Sequence, residues 1–228
     1  MSKPWTVAID GPAGAGKSTV ARLLAQRLEY LYIDSGAMYR AVALYALRND
    51  VSEEQSDEIA ALARSVRIEF QMGEEGAPQR ILLNDEDVTE EIRTPEVGKM
   101  ASVVSTVPGV RAALVAQQKA MGVAGGVVME GRDIGTVVFP NAEIKVFLTA
   151  SPEERAARRH AEIVARGTTA TLEEVRREQD ERDERDATRP VSPLVAATDA
   201  ILLESDDLAP EEVVDDILEI IEARRREA

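Results

Sequence analysis

The feature that most constrains this chain is a glycine-rich loop at residues 11–19, GPAGAGKST, set between a strand pattern and a helix pattern. The loop fits the phosphate-binding pattern G-x-x-x-x-G-K-[ST]. Residues 6–10 before it form a short apolar stretch with β-branched residues, which predicts a buried strand. After it, Val20, Leu23, Leu24 and Leu28 recur at helical spacing. The order strand, loop and helix therefore predicts an α/β fold that binds a phosphate chain.

Each position of the loop has a chemical reason. Glycines let the backbone curl until successive N–H groups point at one anion, and the helix N-terminus adds its positive dipole end. Lys17 is placed to reach the β- and γ-phosphates, and the Ser18 hydroxyl to hold Mg²⁺. The alternative is a glycine turn beside a surface lysine. We predict that ATP and Mg²⁺ bind here, and that the nucleotide-binding residues are Gly11, Pro12, Ala13, Gly14, Ala15, Gly16, Lys17, Ser18 and Thr19.

Charge and composition narrow the possible partners. The chain of 228 residues carries 27 Lys and Arg against 42 Asp and Glu, a formal net charge of −15. Such a surface repels nucleic-acid polymers and anionic membranes, so we expect neither as a partner. The sequence has no cysteine, no leader pattern and no apolar run of membrane-spanning length. We therefore expect a cytoplasmic protein, and nothing in the sequence demands more than a monomer.

Strand and helix patterns alternate along most of the chain. The predicted buried strands are residues 6–10, 30–33, 126–130, 143–148 and 200–203. Alternation with helices predicts a five-stranded parallel sheet covered by helices on both faces, with ligands at the carboxyl ends of the strands. Residues 66–72 instead alternate apolar and polar residues, 73–78 form a turn cluster, 80–83 resume extended character and 84–85 turn again, so residues 66 to about 90 predict a small antiparallel β insert.

Helix starts are marked by capping residues and prolines. Ser52 with Gln55 resembles a capping box for a helix running to about residue 65, and Thr171 with Glu174 resembles another. Ser151 followed by Pro152 also predicts a helix start. Further helices are predicted to open at Pro95, Pro108 and Pro210.

The arginines are concentrated in two sets. Arg40 and Arg132 follow predicted strands, whereas Arg155, Arg158 and Arg159 share one face of a predicted helix. Residues 181–189 add a dense Glu/Arg/Asp run, ERDERDATR. Guanidinium groups bind phosphate oxygens bidentately, so these sets predict two anionic substrates and a closing helical lid. The alternative for the run at 181–189 is a solvated salt-bridge face.

Several blocks together carry a family resemblance. They are IDGP at residues 9–12, DSGAMYR at 34–40, EIRT at 91–94, GRDIGTVVFP at 131–140, the 181–186 run, and Pro193-Leu194. This set resembles the bacterial cytidylate kinases, the nucleoside-monophosphate kinases for CMP and dCMP, over nearly the whole chain. The resemblance implies transfer of the ATP γ-phosphoryl group to CMP or dCMP, giving CDP or dCDP and ADP. It also implies a single kinase unit over residues 1–228, with a core at 1–65 and 91–228, a lid at about 151–170 and the insert at about 66–90.

The resemblance also assigns roles to residues of this chain. It implies that the phosphate of the monophosphate is bound by Arg40, Arg132 and Arg189. The ribose would be met by Arg182 and Asp186, with Asp34 and Ser35 in the same pocket, and the base would be read by Ser102, Arg111 and Asp133. The ATP phosphates would be covered by Arg155 and Arg159. The catalytic set is then Lys17, Arg132, Asp133, Arg155 and Arg159, with Ser18 as the metal ligand.

The base-reading set is consistent with the chemistry of cytosine. Its N4 amine donates while N3 and O2 accept, so Asp133 or Ser102 can accept from N4 and Arg111 can donate to the other edge. Two rival functions stay open at this point: a kinase for another small metabolite such as adenylate or shikimate, and a nucleotide-dependent switch. A guanine switch would need an Asn-Lys-x-Asp segment, and the sequence contains no Asn-Lys pair.

Overall fold

A computed structural model describes residues 3–71, 79–165, 167 and 169–227. The chain divides into two compact units, the first formed by Met1–Tyr32 with Ala124–Ala228 and the second by Ile33–Val123. Within the described residues the strands are β1 (Thr6–Asp10), β2 (Leu31–Asp34), β3 (Ile68–Gln71), β4 (Arg80–Leu83), β5 (Glu86–Asp87), β6 (Val127–Gly131), β7 (Ile144–Thr149) and β8 (Ile201–Glu204). The helices are α1 (Lys17–Leu28), α2 (Ser35–Arg48), α3 (Ser56–Ser65), α4 (Pro95–Val104), α5 (Pro108–Met121), α6 (Pro152–Ala165), α7 (Leu172–Thr188) and α8 (Pro210–Glu227).

The first unit is built on a parallel sheet. Over the described residues the sheet has five strands in the order β2-β6-β1-β7-β8, of which all but β2 lie wholly in the first unit, and it confirms the predicted α/β class. β1 is central and pairs in parallel register with both neighbours, Asp10 lying opposite Gly131 on β6 and Phe147 on β7. All five residues of β1 are buried because helices cover both faces of the sheet. Apolar side chains of α1 and α8, Leu24 and Ile217 among them, complete this core.

The strand order determines where the candidate functional site lies on the sheet. β1, β6 and β7 end side by side at their carboxyl ends, and each is followed by a segment that the sequence marked. β1 leads into the glycine loop, β6 into Arg132 and Asp133, and β7 into the turn before α6. This edge of the sheet is where α/β proteins bind ligands.

The second unit holds helices α2 to α5 and the predicted antiparallel insert. Among the described residues the insert is a three-stranded sheet of order β3-β4-β5. Asn84 and Asp85 link β4 to β5 with φ of 49° and 70°, the left-handed pair of a type I′ hairpin turn. The predicted turn at residues 73–78 lies outside the described residues.

One predicted helix start is wrong. The helix expected to begin after Ser52 begins at Ser56, with Gln55 as its N-cap. Half of the expected box does form, since the Gln55 side chain accepts from the Ser52 N–H at 2.8 Å. The Ser52 hydroxyl, however, donates to Glu54 at 2.7 Å instead of capping a helix, so the chain turns once more before α3.

Other helix starts follow the sequence. Thr171 and Glu174 form the full reciprocal capping box of α7. Pro95 and Pro108 occupy the first turns of α4 and α5, and the Ser151 hydroxyl accepts from the Glu154 N–H at the start of α6. Two short elements were not expected, a 3-10 turn at Glu91–Arg93 and a π-helical turn at Ile134–Val138.

Helix length and apolar composition limit which segments could span a membrane. In the part of the chain that the structure describes, no single helix is long and apolar enough to cross a bilayer. α4 and α5 reach that length and composition only when joined across a 99° bend.

Candidate functional site

The glycine loop is shaped by close backbone approaches. Gly11 has φ of 149°, and a Cβ there would lie 1.9 Å from the carbonyl oxygen of Leu148. At Gly14, with φ of 78°, a Cβ would meet the Gln179 amide at 2.7 Å and the Arg155 carbonyl at 2.9 Å. Any side chain at either position would therefore push the loop away from the segments that hold it.

Lys17 is the charged residue of the loop, and it is almost fully buried, with 5% of its surface exposed. Its Nζ donates to the carbonyl of Pro12 at 2.6 Å. Burial and then the charge of Arg132 lower the pKa of Lys17 to about 7, while Glu130 acts in the opposite direction. An anion beside the ammonium would favour its charged form, so this lysine is suited to a site that fills with phosphate.

Two arginines of α6 support the loop from outside. Arg155 donates from Nη1 to the Ala13 carbonyl at 3.0 Å and from Nε to the Ala150 carbonyl at 3.2 Å, and it also pairs with Asp183. Arg158 holds Ser205 through two hydrogen bonds of 3.0 and 2.6 Å.

Ser205 in turn reaches the loop. Its hydroxyl lies 3.2 Å from the Ala15 carbonyl and 3.1 Å from that of Thr149. The loop carbonyls are thus held from behind by side chains, an arrangement that leaves loop N–H groups for an anion.

Four side chains of the first unit form what we call the arginine–carboxylate cluster: Arg132, Asp133, Asp186 and Arg189. Arg132 Nε donates to Asp186 Oδ2 at 3.0 Å. Arg189 lies 3.8 Å from Asp186 Oδ1 and 3.7 Å from Asp133 Oδ1. The exposed fractions of these side chains run only from 8% to 18%. Two buried guanidinium groups so close together are suited to binding a phosphate, because its oxygens could replace the carboxylates as their partners.

Asp10, at the end of β1, is a charged residue that the sequence analysis did not place in the site. It is 4% exposed, and its oxygens accept from the N–H groups of Ile134 at 2.8 Å and Gly135 at 2.7 Å. Burial raises the pKa of Asp10 to about 6, although both hydrogen bonds act in the opposite direction.

In the second unit, the predicted residues Asp34, Ser35 and Arg40 lie at the start of α2. Asp34 is the N-cap: Oδ1 accepts from the Ala37 N–H at 3.0 Å, and Oδ2 accepts from Arg40 at 2.6 Å. Ser35 is buried. The helix cap therefore also orients the arginine.

The two residues of the second unit that the sequence predicts to read the base lie on α4 and α5. Arg111 is 3% exposed, donates to the Ser105 carbonyl at 3.4 Å, and stacks its guanidinium 5.7 Å from the ring centroid of Tyr39. A stacked, buried guanidinium is held in a fixed orientation, as specific recognition of a ligand edge requires. Ser102 is half-buried, and its hydroxyl lies 3.5 Å from the Gly98 carbonyl.

Not every predicted residue joins a cluster. Arg159 pairs with Glu162 on the surface of α6, 45% exposed, and Arg182 affects the site through its charge on Lys17. Sequence reasoning missed Asp10, Asp183 and Ser205, which position other groups. Asp10 had a signal, as the charged residue that ends an apolar strand, and Asp183 had one as a member of the run at 181–189.

No protein metal cage is present among the described residues, where no group of three or more His, Cys, Asp or Glu side chains converges. Ser18 is exposed at the first turn of α1. A single hydroxyl fits Mg²⁺, which in nucleotide sites is bound by one or two protein ligands, substrate phosphates and water.

The sequence is similar to those of known proteins. Residues 7–223 match the family model described as cytidylate kinase. A cytidylate kinase of Carboxydothermus hydrogenoformans is 54% identical over 215 residues, which cover 94% of this chain and 96% of the relative. A cytidylate kinase of Pelotomaculum thermopropionicum is 53% identical over 221 residues, 97% of each chain.

Among solved structures, an uncharacterized protein from Eubacterium ventriosum matches with a TM-score of 0.52. The match covers 97% of this chain and 99% of that one at 13% sequence identity. It shows a shared fold alone.

Proposed function

This chain belongs to the cytidylate kinase family, and we propose that its glycine loop and its arginine–carboxylate cluster together carry out the family reaction. In that reaction the γ-phosphoryl group of ATP passes to a phosphate oxygen of CMP or dCMP, giving CDP or dCDP and ADP. The bond to the β,γ-bridging oxygen of ATP breaks, and a bond to the acceptor oxygen forms. The observation that carries the proposal is the presence, within one unit, of a phosphate loop and a separate buried pair of guanidinium groups.

The loop is proposed to hold ATP. Its backbone N–H groups and the N-terminus of α1 would bind the phosphates, and Lys17 would neutralise charge on the transferring group. The proposed contacts come from Gly11, Pro12, Ala13, Gly14, Ala15, Gly16, Lys17, Ser18 and Thr19. Mg²⁺, held by Ser18 and the ATP phosphates, would supply further positive charge.

Arg132 and Arg189 are proposed to bind the phosphate of CMP, exchanging Asp186 and Asp133 for phosphate oxygens. Arg182 and Asp186 would then meet the ribose. Because carboxylates hold the arginines in place beforehand, little side-chain entropy is lost when the phosphate arrives. Arg40, with Asp34 and Ser35, is also proposed to contribute to CMP binding.

Cytosine is proposed to be read by Ser102, Arg111 and Asp133. Uracil reverses the donor and acceptor at N3 and position 4, which would set an N–H against Arg111 and a carbonyl against the carboxylate. Each mispaired buried group costs about 1–3 kcal/mol, enough for strong discrimination. Arg155 and Arg159 are proposed to approach the ATP phosphates when α6 closes as a lid.

The proposal is tested by phosphoryl-transfer assays on CMP, dCMP, UMP and AMP. We expect CMP and dCMP to be preferred; preference for AMP or UMP would contradict the assignment.

In Asp133→Ala we expect the CMP-to-UMP ratio of kcat/KM to fall while ATP binding, measured by calorimetry, persists. An unchanged ratio would remove Asp133 from base reading. The monomeric state and the cytoplasmic location stay predictions, the first testable by light scattering.

A further inference from the structure

The turn that presents Asp133 is capped by a carboxylate from another strand. Ile134 and Gly135 are the first two residues of the π-helical turn, and their N–H groups have no partner within the turn's own hydrogen-bond pattern. Asp10 supplies both acceptors, one oxygen to each N–H, at 2.8 and 2.7 Å. The two residues that it contacts lie 124 and 125 positions further along the chain.

Asp133 holds the N-cap position of the same turn, where an aspartate ordinarily turns its own carboxylate back to the first N–H groups. Within the described residues it makes no such cap bond. Its Oδ1 lies instead 3.7 Å from Arg189. Asp10 therefore performs the capping task that would otherwise draw Asp133 onto the backbone.

The contact between Asp10 and the π-helical turn is buried. Asp10 is 4% exposed and Asp133 is 6% exposed, so water cannot readily take over the cap. At Gly135 an added Cβ would lie 3.3 Å from Asp10 Oδ2 and 3.3 Å from the Lys145 side chain, so both neighbours pack closely against this backbone. The turn thus has little room to shift unless the carboxylate moves with it.

We propose that Asp10 is a positioning residue for the nucleotide acceptor: by capping the turn after β6 in place of Asp133, it keeps the Asp133 carboxylate directed to Arg189 and to the incoming CMP. The proposal rests on the proposed role of Asp133 in binding CMP. It predicts that loss of the Asp10 cap is felt at the CMP site, although Asp10 adjoins the ATP loop in sequence. Asp10→Asn is the informative change, because an amide keeps the size but offers one oxygen where the carboxylate offers two.

The experiment is a double-mutant cycle on the full chain with Asp10→Asn, Asp133→Asn and the double variant. Dissociation constants of CMP and of ATP are measured by calorimetry. We expect Asp10→Asn to weaken CMP binding about tenfold and ATP binding less than about twofold, as expected for one lost charge-assisted contact. In the Asp133→Asn background the same change should weaken CMP binding less than about twofold, since interacting residues are not additive.

A matched control is Asp199→Asn. Asp199 accepts two 2.9 Å hydrogen bonds from Lys145, the lysine that packs against Gly135, but it does not bond the N–H groups of the turn. It should lower stability without changing CMP affinity. Amide exchange of Ile134 and Gly135, followed by NMR, should accelerate in Asp10→Asn and stay unchanged in Asp199→Asn.

The outcomes separate the inference from the proposed function. If Asp133→Asn leaves CMP affinity unchanged, the proposed role of Asp133 fails. If Asp133→Asn weakens CMP binding but Asp10→Asn is additive with it, the positioning role of Asp10 alone is overturned. A loss confined to kcat and ATP binding would indicate that Asp10 acts on Lys17, and it would also overturn the positioning role of Asp10. Should Asp10→Asn not fold, Asp10→Glu, which keeps two acceptors on a longer side chain, should retain CMP selectivity if the proposal holds and lose it if it does not.

Discussion

The candidate site residues of the two units are held in place by different kinds of contact. In the first unit they bond to residues far away in sequence: Arg132 to Asp186 across 54 positions and Arg155 to Ala13 across 142. In the second unit Arg40 bonds to Asp34 across only 6 positions, although Arg111 stacks on Tyr39 of a different helix. The first unit's site therefore exists only when its sheet is complete, whereas Arg40 of the second unit is oriented mainly by local helix structure.

This difference also concerns burial. The contacts of the first unit enclose ionisable groups whose pKa values shift strongly, such as Lys17 and Asp10. The contacts of the second unit's Asp34 and Arg40 stay partly exposed, with side-chain exposures of 24% and 31%. Substitutions in the first unit should therefore have the larger effects, on function and on the pH dependence of stability.

The largest effect is expected from Lys17→Ala. Removing the ammonium should lower kcat by about 10³-fold or more, since phosphoryl transfer depends on charge stabilisation. Steady-state kinetics with CMP and ATP measure this. Lys145→Met is the matched control, a second buried lysine, and should lower stability while kcat changes less than about threefold. Equal losses of kcat in the two variants would contradict a chemical role for Lys17.

The next effect concerns Asp10 and pH. Its folded-state pKa of about 6 exceeds the ordinary value of 3.8, so the folded protein binds more protons between these values. The stability that Asp10 contributes is greatest below pH 4 and is lost as the pH rises through 6. The free energy of unfolding of the wild type minus that of Asp10→Asn should therefore fall by about 2 kcal/mol from pH 4 to pH 7.

Urea unfolding at four pH values measures that difference. Asp133 and Lys17, the charged groups that act on Asp10, are present in both proteins. Asp199→Asn serves as the control of opposite sign, because Lys145 holds the pKa of Asp199 below its usual range. The free energy of unfolding of the wild type minus that of Asp199→Asn should rise with pH. If the corresponding difference for Asp10→Asn does not change with pH, burial does not perturb the pKa of Asp10.

A smaller effect is expected in the second unit from Asp34→Ala. Loss of the N-cap and of a partly exposed ion pair should lower the free energy of unfolding by about 1–2 kcal/mol. Asp34→Asn keeps the capping oxygen but not the charge, so chemical denaturation should show it recovering most of the loss. If the two variants are equally destabilised, the ion pair with Arg40 and not the cap is the main contribution.

The smallest effect is expected in the insert. Hydrogen bonds from Thr89 and then Arg80 hold the pKa of Asp87 at about 2. The carboxylate is 37% exposed, so Asp87→Asn should cost less than about 1 kcal/mol and leave kcat unchanged. That contribution is present above pH 4 and is lost as the pH falls towards 2. An effect on stability larger than that of Asp34→Ala would reverse the expected order of these two substitutions within the second unit.

The sequence was a good guide wherever the deciding residues are neighbours. The glycine loop, the capping box at Thr171 and Glu174, and the prolines opening α4 and α5 were all predicted, because each depends on residues within a few positions. The exception is Ser52, whose hydroxyl has a competing local partner in Glu54. The predicted roles of the site residues stay predictions.

By itself, the sequence determined that this chain forms a parallel α/β core around a phosphate loop, carries an antiparallel insert and belongs to the cytidylate kinase family. Only the tertiary structure decided which carboxylate each arginine meets, that Arg155 bonds to the loop carbonyl of Ala13, and that Asp10 caps the turn after β6. The physical reason is strand order. Pairing of β1 between β6 and β7 brings residues more than a hundred positions apart into hydrogen-bonding distance, and no local pattern encodes that proximity.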